Sequence, residues 1–150
     1  MNILVSLLTL FATGHAQTAT PNLNGIYLMP IQIGERTFRD VVFLEGEEKP
    51  ISIENFDGKI KGSVTVPGNF SVPLTGTGKC SLREFTCTFD IHIVAKEREN
   101  TFTVDYRAQM SHDEYSRAYR GQGEPAFHGT AFLENGDKLG DFTGTRIHAL

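Results

Sequence analysis

Tryptophan is absent from the 150 residues, cysteine occurs only twice, and the positive charge is outnumbered, with 14 Lys and Arg against 18 Asp and Glu for a net charge of −4. The missing basic excess argues against nucleic acid or an anionic membrane surface as partner, because both are held mainly through clustered Lys and Arg. The longest apolar run, Ile3 to Ala12, is too short to cross a bilayer as a helix. Without tryptophan, and with Leu150 at the C-terminus, the aromatic girdles of an outer-membrane barrel are not expected either. There is no Gly-x-Ser-x-Gly elbow, no glycine-rich nucleotide loop, no Cys-x-x-Cys pair and no metal-ligand spacing. The chain is therefore not expected to be an enzyme, and no cofactor and no metal are expected. What is present is 39% apolar residues, 15 glycines, 11 phenylalanines and 21% charged residues of mixed sign, which suit one ordinary soluble domain.

Ile3 to Ala12 carries no charge and two hydroxyl side chains, and Gly14 and Ala16 follow at the −3 and −1 positions of a cleavage before Gln17. This pattern predicts a signal peptide at 1–16 and a single mature domain at 17–150. A buried N-terminal strand is the alternative, since no Lys or Arg precedes the apolar run. No cysteine follows that run, so no lipid-modified membrane anchor is expected, and the mature domain is expected to be secreted or periplasmic. In such an oxidising compartment Cys80 and Cys87 are expected to pair. A hairpin with Arg83 and Glu84 at its tip would oppose 80 with 87, 81 with 86 and 82 with 85, close enough for a disulfide at a non-hydrogen-bonded pair. The small loop so closed is worth about 2.5 kcal/mol in the chain-entropy account. Two free, buried cysteines are the alternative.

Strict alternation places Phe85, Cys87, Phe89, Ile91 and Ile93 on one face of a strand. Shorter patterns of the same period mark strands at Gly25 to Ile33, Thr37 to Leu44, Lys59 to Val66, Phe70 to Leu74, Thr101 to Ala108, Ala126 to Leu133 and Asp141 to Ile147, with a short extra piece at Ile51 to Ile53. Turns are expected at Gly34-Glu35, Asp57-Gly58, Pro67 to Asn69, Glu97 to Asn100 and Asn135-Gly136. The last, as a two-residue type I′ turn, would set Leu133 opposite Lys138 and Phe132 opposite Leu139. About eight strands joined by tight hairpins predict an all-β, up-and-down antiparallel barrel. A β-sandwich is the alternative. Phe85, Phe89, Ile91, Ile93, Phe102, Val104 and Tyr106 are expected inside. The segment Gln109 to Pro125 breaks the alternation. Its Ser111-x-x-Glu114 spacing is a capping box, Tyr115, Ala118 and Tyr119 share one helical face, and Gly121 can end the helix, so one short helix is predicted over about His112 to Arg120, before the final hairpin.

Few polar groups offer chemistry. His112, Asp113 and Glu114 resemble ligands, but consecutive helical residues diverge by about 100°, and capping accounts for them better. Asp90 and His92 share a strand face and could orient a base or hold a metal, yet that face is expected to meet water. Arg107, Arg117 and Arg120 could receive a small anion. Asn69-Phe70-Ser71 fits a glycosylation acceptor in a eukaryotic secretory pathway.

Gly25-Ile26-Tyr27 at the first strand and Arg146 in the last resemble the calycin group, the lipocalin-like and avidin-like secreted barrels, whose lipocalin members carry Gly-x-Trp and a late arginine at these places. The resemblance implies an eight-stranded barrel holding a small apolar ligand in its mouth, and tyrosine here replaces the tryptophan. With the inserted helix as a lid, Tyr115, Arg117 and Tyr119 are the expected ligand-binding residues. The alternative partner is a protein, in the manner of small exported enzyme inhibitors that resemble such barrels.

Overall fold

The computed structural model describes residues 21–66, 70–97 and 99–150. The expected signal segment and Asn69 lie outside them. Eight strands, β1 (Gly25–Ile33), β2 (Arg36–Gly46), β3 (Asn55–Val66), β4 (Phe70–Ser81), β5 (Thr86–Glu97), β6 (Asn100–Gln109), β7 (Ala126–Leu133) and β8 (Lys138–Ala149), pair antiparallel in chain order. β8 then pairs with β1 and closes the barrel. One helix, α1 (His112–Tyr119), stands between β6 and β7. Closure satisfies both strand edges, which a sandwich of these strands would have left open.

Alternation decides what faces inward. Tyr27, Met29 and Ile31 on β1, Val42 and Leu44 on β2, and Phe89, Ile91 and Ile93 on β5 are buried, whereas Lys61, Lys79, Asp90, His92 and Arg107 stand outside. An apolar interior under a charged exterior reverses the arrangement of a membrane-spanning barrel. Phe127 is the hub of the core, its ring 5.1 Å from Tyr27, 6.1 Å from Phe89 and 6.4 Å from Phe142 between centroids. So small a barrel holds these rings because inward glycines leave them room. A Cβ built on Gly144 would lie 2.5 Å from the Phe127 ring.

One end of the barrel is sealed. After β2 the chain folds across it, with Leu23 N–H donating to Ile51 O and Ile53 N–H to Pro21 O. Asn24 Oδ1 accepts from the amides of Gly46 and Ile51. Leu23, Ile51, Ile53, Met110 and Tyr115 fill the end and are buried. The piece expected at Ile51 to Ile53 is thus a single bridge, Asn22 to Ser52, rather than a ninth strand.

The Cys80–Cys87 disulfide is present, with Cα atoms 4.1 Å apart and Ser81 opposite Thr86. The close Cα approach fits the non-hydrogen-bonded pair type. The strand ends there. Leu82 to Phe85 form a turn in which Phe85 adopts φ 53°, leaves the alternation and rests its ring 5.3 Å from Tyr115. Phe85 is therefore a half-exposed turn residue and not an interior one. Asp57 and Gly58, expected in a turn, lie within β3, paired with Lys79 and Gly78. β3 and β4 run twelve residues each, and Asp57 simply takes an outward position. The Asn135-Gly136 hairpin closes differently too. Leu133 N–H donates to Asp137 O, only Gly136 takes positive φ, and Asn135 Oδ1 accepts from Asp137 N–H. The three-residue loop sets Phe132 opposite Lys138 and Ala131 opposite Gly140, with a bulge between.

Candidate functional site

Helix α1 forms as its sequence dictates. Ser111 Oγ accepts from Glu114 N–H, and Glu114 Oε1 accepts from Ser111 N–H, completing the capping box. This explains why His112, Asp113 and Glu114 do not converge as ligands. Tyr115 is wholly buried, its hydroxyl donating to Ile53 O at 2.5 Å and its ring stacked 6.4 Å from Tyr119. Burial, then the charges of Glu54 and Tyr119, push the Tyr115 phenol up to about 12, so it remains a donor. Tyr119 is half-buried and Arg117 is exposed. Of the three expected ligand residues, the structure places one in the seal and two around it. The reason is connectivity: the helix follows β6 at the same end where β2 leads into β3.

The opposite end carries the β1–β2, β3–β4, β5–β6 and β7–β8 connections and is lined differently. Phe38 pairs with Ile31, Leu133 with Val104, and Phe102 with Ala95, which places all three on the inward pleat. Phe70, alternating with buried Val72 and Leu74, joins them. Yet these four side chains are 37 to 56% exposed. These inward side chains face water at this end of the barrel. Phe102, expected in the core, is thus a rim residue, and Val104 is half-buried below it. One layer deeper lies Asp40, 4% exposed, the one buried charged side chain among the described residues. It sits on the inward pleat of β2 between Phe38 and Val42 and opposite Met29. Burial pushes its carboxyl up to about 6. The Tyr106 phenol is also raised, first by burial and then by the Asp40 charge, which places the two groups in one electrostatic neighbourhood.

The outer wall holds a concavity of about 680 Å³ across β5 to β8, lined by Asp90, Arg107, His128, Thr130 and Phe132 among others. Some of the polar side chains in and around it are partnered, Thr130 Oγ1 donating to Asp141 Oδ1 within it. Register sets His92 opposite Asp105, and the His92 Nδ1 lies 2.6 Å from Asp105 Oδ1, so histidine engages a neighbouring strand and not Asp90. His128 Nδ1 lies 2.8 Å from Glu114 Oε1, tying α1 to β7. Arg107 stacks on Phe132 at 4.9 Å. Arg107 and Arg117 line separate concavities and form no common anion site. Hydrogen bonds from Lys138 and Thr130 hold the Asp141 carboxyl below its ordinary range. No group of three or more His, Cys, Asp or Glu side chains converges among the described residues.

At the sealed end, Tyr27 and Arg146 are cross-strand partners. The Arg146 guanidinium donates to the carbonyls of Asn22 and Asn24 and pairs with Glu124 at 3.2 Å. Gly25 is required beside it, since a Cβ there would lie 2.6 Å from Arg146 Cδ. Burial raises the Tyr27 phenol, Arg146 partly opposing it, and its hydroxyl donates to Leu23 O at 2.6 Å. The glycine, the aromatic residue and the late arginine therefore meet in space.

No protein-family model, no curated protein and no solved structure matches the chain.

Proposed function

We propose that this protein is an exported, non-catalytic binding protein that holds one small apolar or amphipathic ligand in the open mouth of its barrel. The observation that supports the reading most is the ring of Phe38, Phe70, Phe102 and Leu133, apolar side chains that point inward yet stay exposed at one end while the other end is sealed. Exposed apolar surface grouped in one place favours burial against a ligand, at about 25 cal/mol per Å² removed from water. The disulfide favours an oxidising compartment. The meeting of Gly25, Tyr27 and Arg146 favours kinship with calycin-type barrels. In this reading α1 contributes to stability, and Tyr115, Arg117 and Tyr119 do not touch the ligand.

The neutral dye Nile red tests it. One equivalent is expected to bind with a blue-shifted, brightened emission, and Phe70→Glu or Phe102→Glu to weaken it at least tenfold, while Arg117→Ala and Tyr119→Ala leave it unchanged. Wild-type protein that leaves the dye dark, or binding indifferent to the rim, would overturn the reading. A second reading, a protein-binding module such as an enzyme inhibitor, has one observation in its favour. Ile26 faces Phe43 and Leu28 faces Val41 on the outer side of β1 and β2, an apolar patch on the barrel wall. Substitutions there, and not at the rim, would then abolish binding to a partner protein.

A further inference from the structure

Asp40 is buried as a residue, yet its carboxylate oxygens keep contact with water, because no fully buried side-chain oxygen among the described residues lacks a partner. Among the described residues no hydrogen-bond donor or cation reaches its carboxylate, and burial is the sole cause of its raised pKa. Its flanking and facing side chains, Phe38, Val42 and Met29, are apolar. An isolated carboxylate in such surroundings is costly, and an apolar side chain would fill the place at no such cost. Its position is also particular. It follows Phe38 on the inward pleat of β2, one step from the rim, as Val72 follows Phe70 and Val104 follows Phe102. A group passing Phe38 along the inner face of β2 would meet Asp40 at the next inward position.

We propose that the ligand of the mouth is a small amine, its ammonium group paired with Asp40 and its apolar body held by the rim. This rests on the mouth being the binding site, and it adds the sign of the ligand's charge. An ammonium supplies what the carboxylate lacks, a positive charge and up to three donors, at a place with little contact with water, where a charge-assisted hydrogen bond is stronger than on the open surface. The Tyr106 hydroxyl, kept protonated, stands in the same neighbourhood as a neutral polar neighbour. The rim phenylalanines suit an aryl or alkyl body and can face a cation through their rings on its way in. A metal ion is a poor alternative, because one carboxylate without further ligands does not complete a coordination shell.

The test compares 2-phenylethylamine, 2-phenylethanol and 3-phenylpropanoate, which share one apolar body and differ in charge, by displacement of Nile red and by calorimetry. At pH 7.5 the amine is expected to bind about tenfold or more tightly than the alcohol, the gain of one charge-assisted pair, and the carboxylate weakest of the three. Asp40→Asn should remove the preference while leaving affinity for the alcohol and the dye within about twofold. The preference should also shrink between pH 7.5 and pH 5, as Asp40 takes up a proton and Tyr106, the titratable group beside it, stays neutral. Equal binding of amine and alcohol to the wild-type protein, or an amine preference that survives in Asp40→Asn, would overturn the amine assignment and leave the mouth in place. Failure of the dye itself to bind would remove both.

Discussion

Asp40→Leu is expected to stabilise the protein at pH 7.5 by about 3 kcal/mol, with a rise in melting temperature on the order of 10 °C. The magnitude follows from the carboxyl being raised from 3.8 to about 6 in the folded protein, since each tenfold change in proton affinity corresponds to about 1.4 kcal/mol. The sign follows from which state binds the proton more readily. An acid whose pKa is raised by folding favours the native state fully below pH 3.8, and that favour is lost as the pH rises through about 6. At neutral pH the wild-type protein therefore carries an ionised, unpartnered group inside its barrel. Leucine has the branched shape of the carboxylate without its charge, so the variant escapes the cost. Urea unfolding at pH 7.5 and at pH 4 checks this, with the difference between variant and wild type large at the first and much reduced at the second. Equal stabilities at pH 7.5 would mean that the carboxylate is well solvated where it stands. A stability gained by removing a charged group is the pattern expected when the group serves binding and not folding.

The opposite effect is expected at the hub of the core. Phe127→Ala should cost about 3 to 5 kcal/mol, because it removes the ring that Tyr27, Phe89 and Phe142 all touch and that Gly144 is shaped to receive. The walls cannot collapse into the space, since each is pinned by hydrogen bonds to both neighbouring strands. Against a total stability of about 5 to 15 kcal/mol, such a loss leaves a marginal protein. Chemical denaturation of the purified variant measures it. A loss under about 1.5 kcal/mol would show that the interior repacks freely.

Much of the barrel is legible in the sequence because period-two patterns are a direct record of which pleat faces the core. β1 and β7 have the bounds that alternation gives them, and the opposition of Cys80 and Cys87 follows from hairpin symmetry. The helix is legible from the Ser111 and Glu114 spacing alone. Errors arise where local chemistry is ambiguous. Asn-Gly is compatible with a two-residue loop, yet the Asn135 side chain stabilises a longer one by bonding Asp137. Phe85 continues the alternation of β5 in sequence, but the four-residue turn takes it out of the strand. Asp57-Gly58 carries turn residues that a long strand absorbs by pointing one outward and packing the other beneath Phe56.

The candidate site is less legible, for a topological reason. Which end of the barrel is sealed depends on how the segment after β2, the β4 to β5 turn and α1 gather at one rim, and none of these contacts is local. The pairs His92 with Asp105 and His128 with Glu114 depend likewise on register between strands. Asp40 did leave a trace. In Phe38 to Glu45 the even positions hold Phe38, Val42 and Leu44 and the odd ones Arg39, Val41, Phe43 and Glu45, so the more apolar phase already included the aspartate. The adjacent valines and Phe43 blur that phase, because both faces of the strand look apolar.

Whether the open mouth is the binding site is tested most directly by a two-dimensional NMR titration of the isotopically labelled protein with 2-phenylethylamine. The expected result is a saturable set of shifts confined to the rim and the layer beneath it, at Phe38, Asp40, Phe102, Tyr106 and Leu133, with Tyr115, Arg117 and the outer patch of Ile26 and Phe43 unmoved. Shifts centred on the helix or on the outer wall of β1 and β2, or no shifts at millimolar amine, would contradict it.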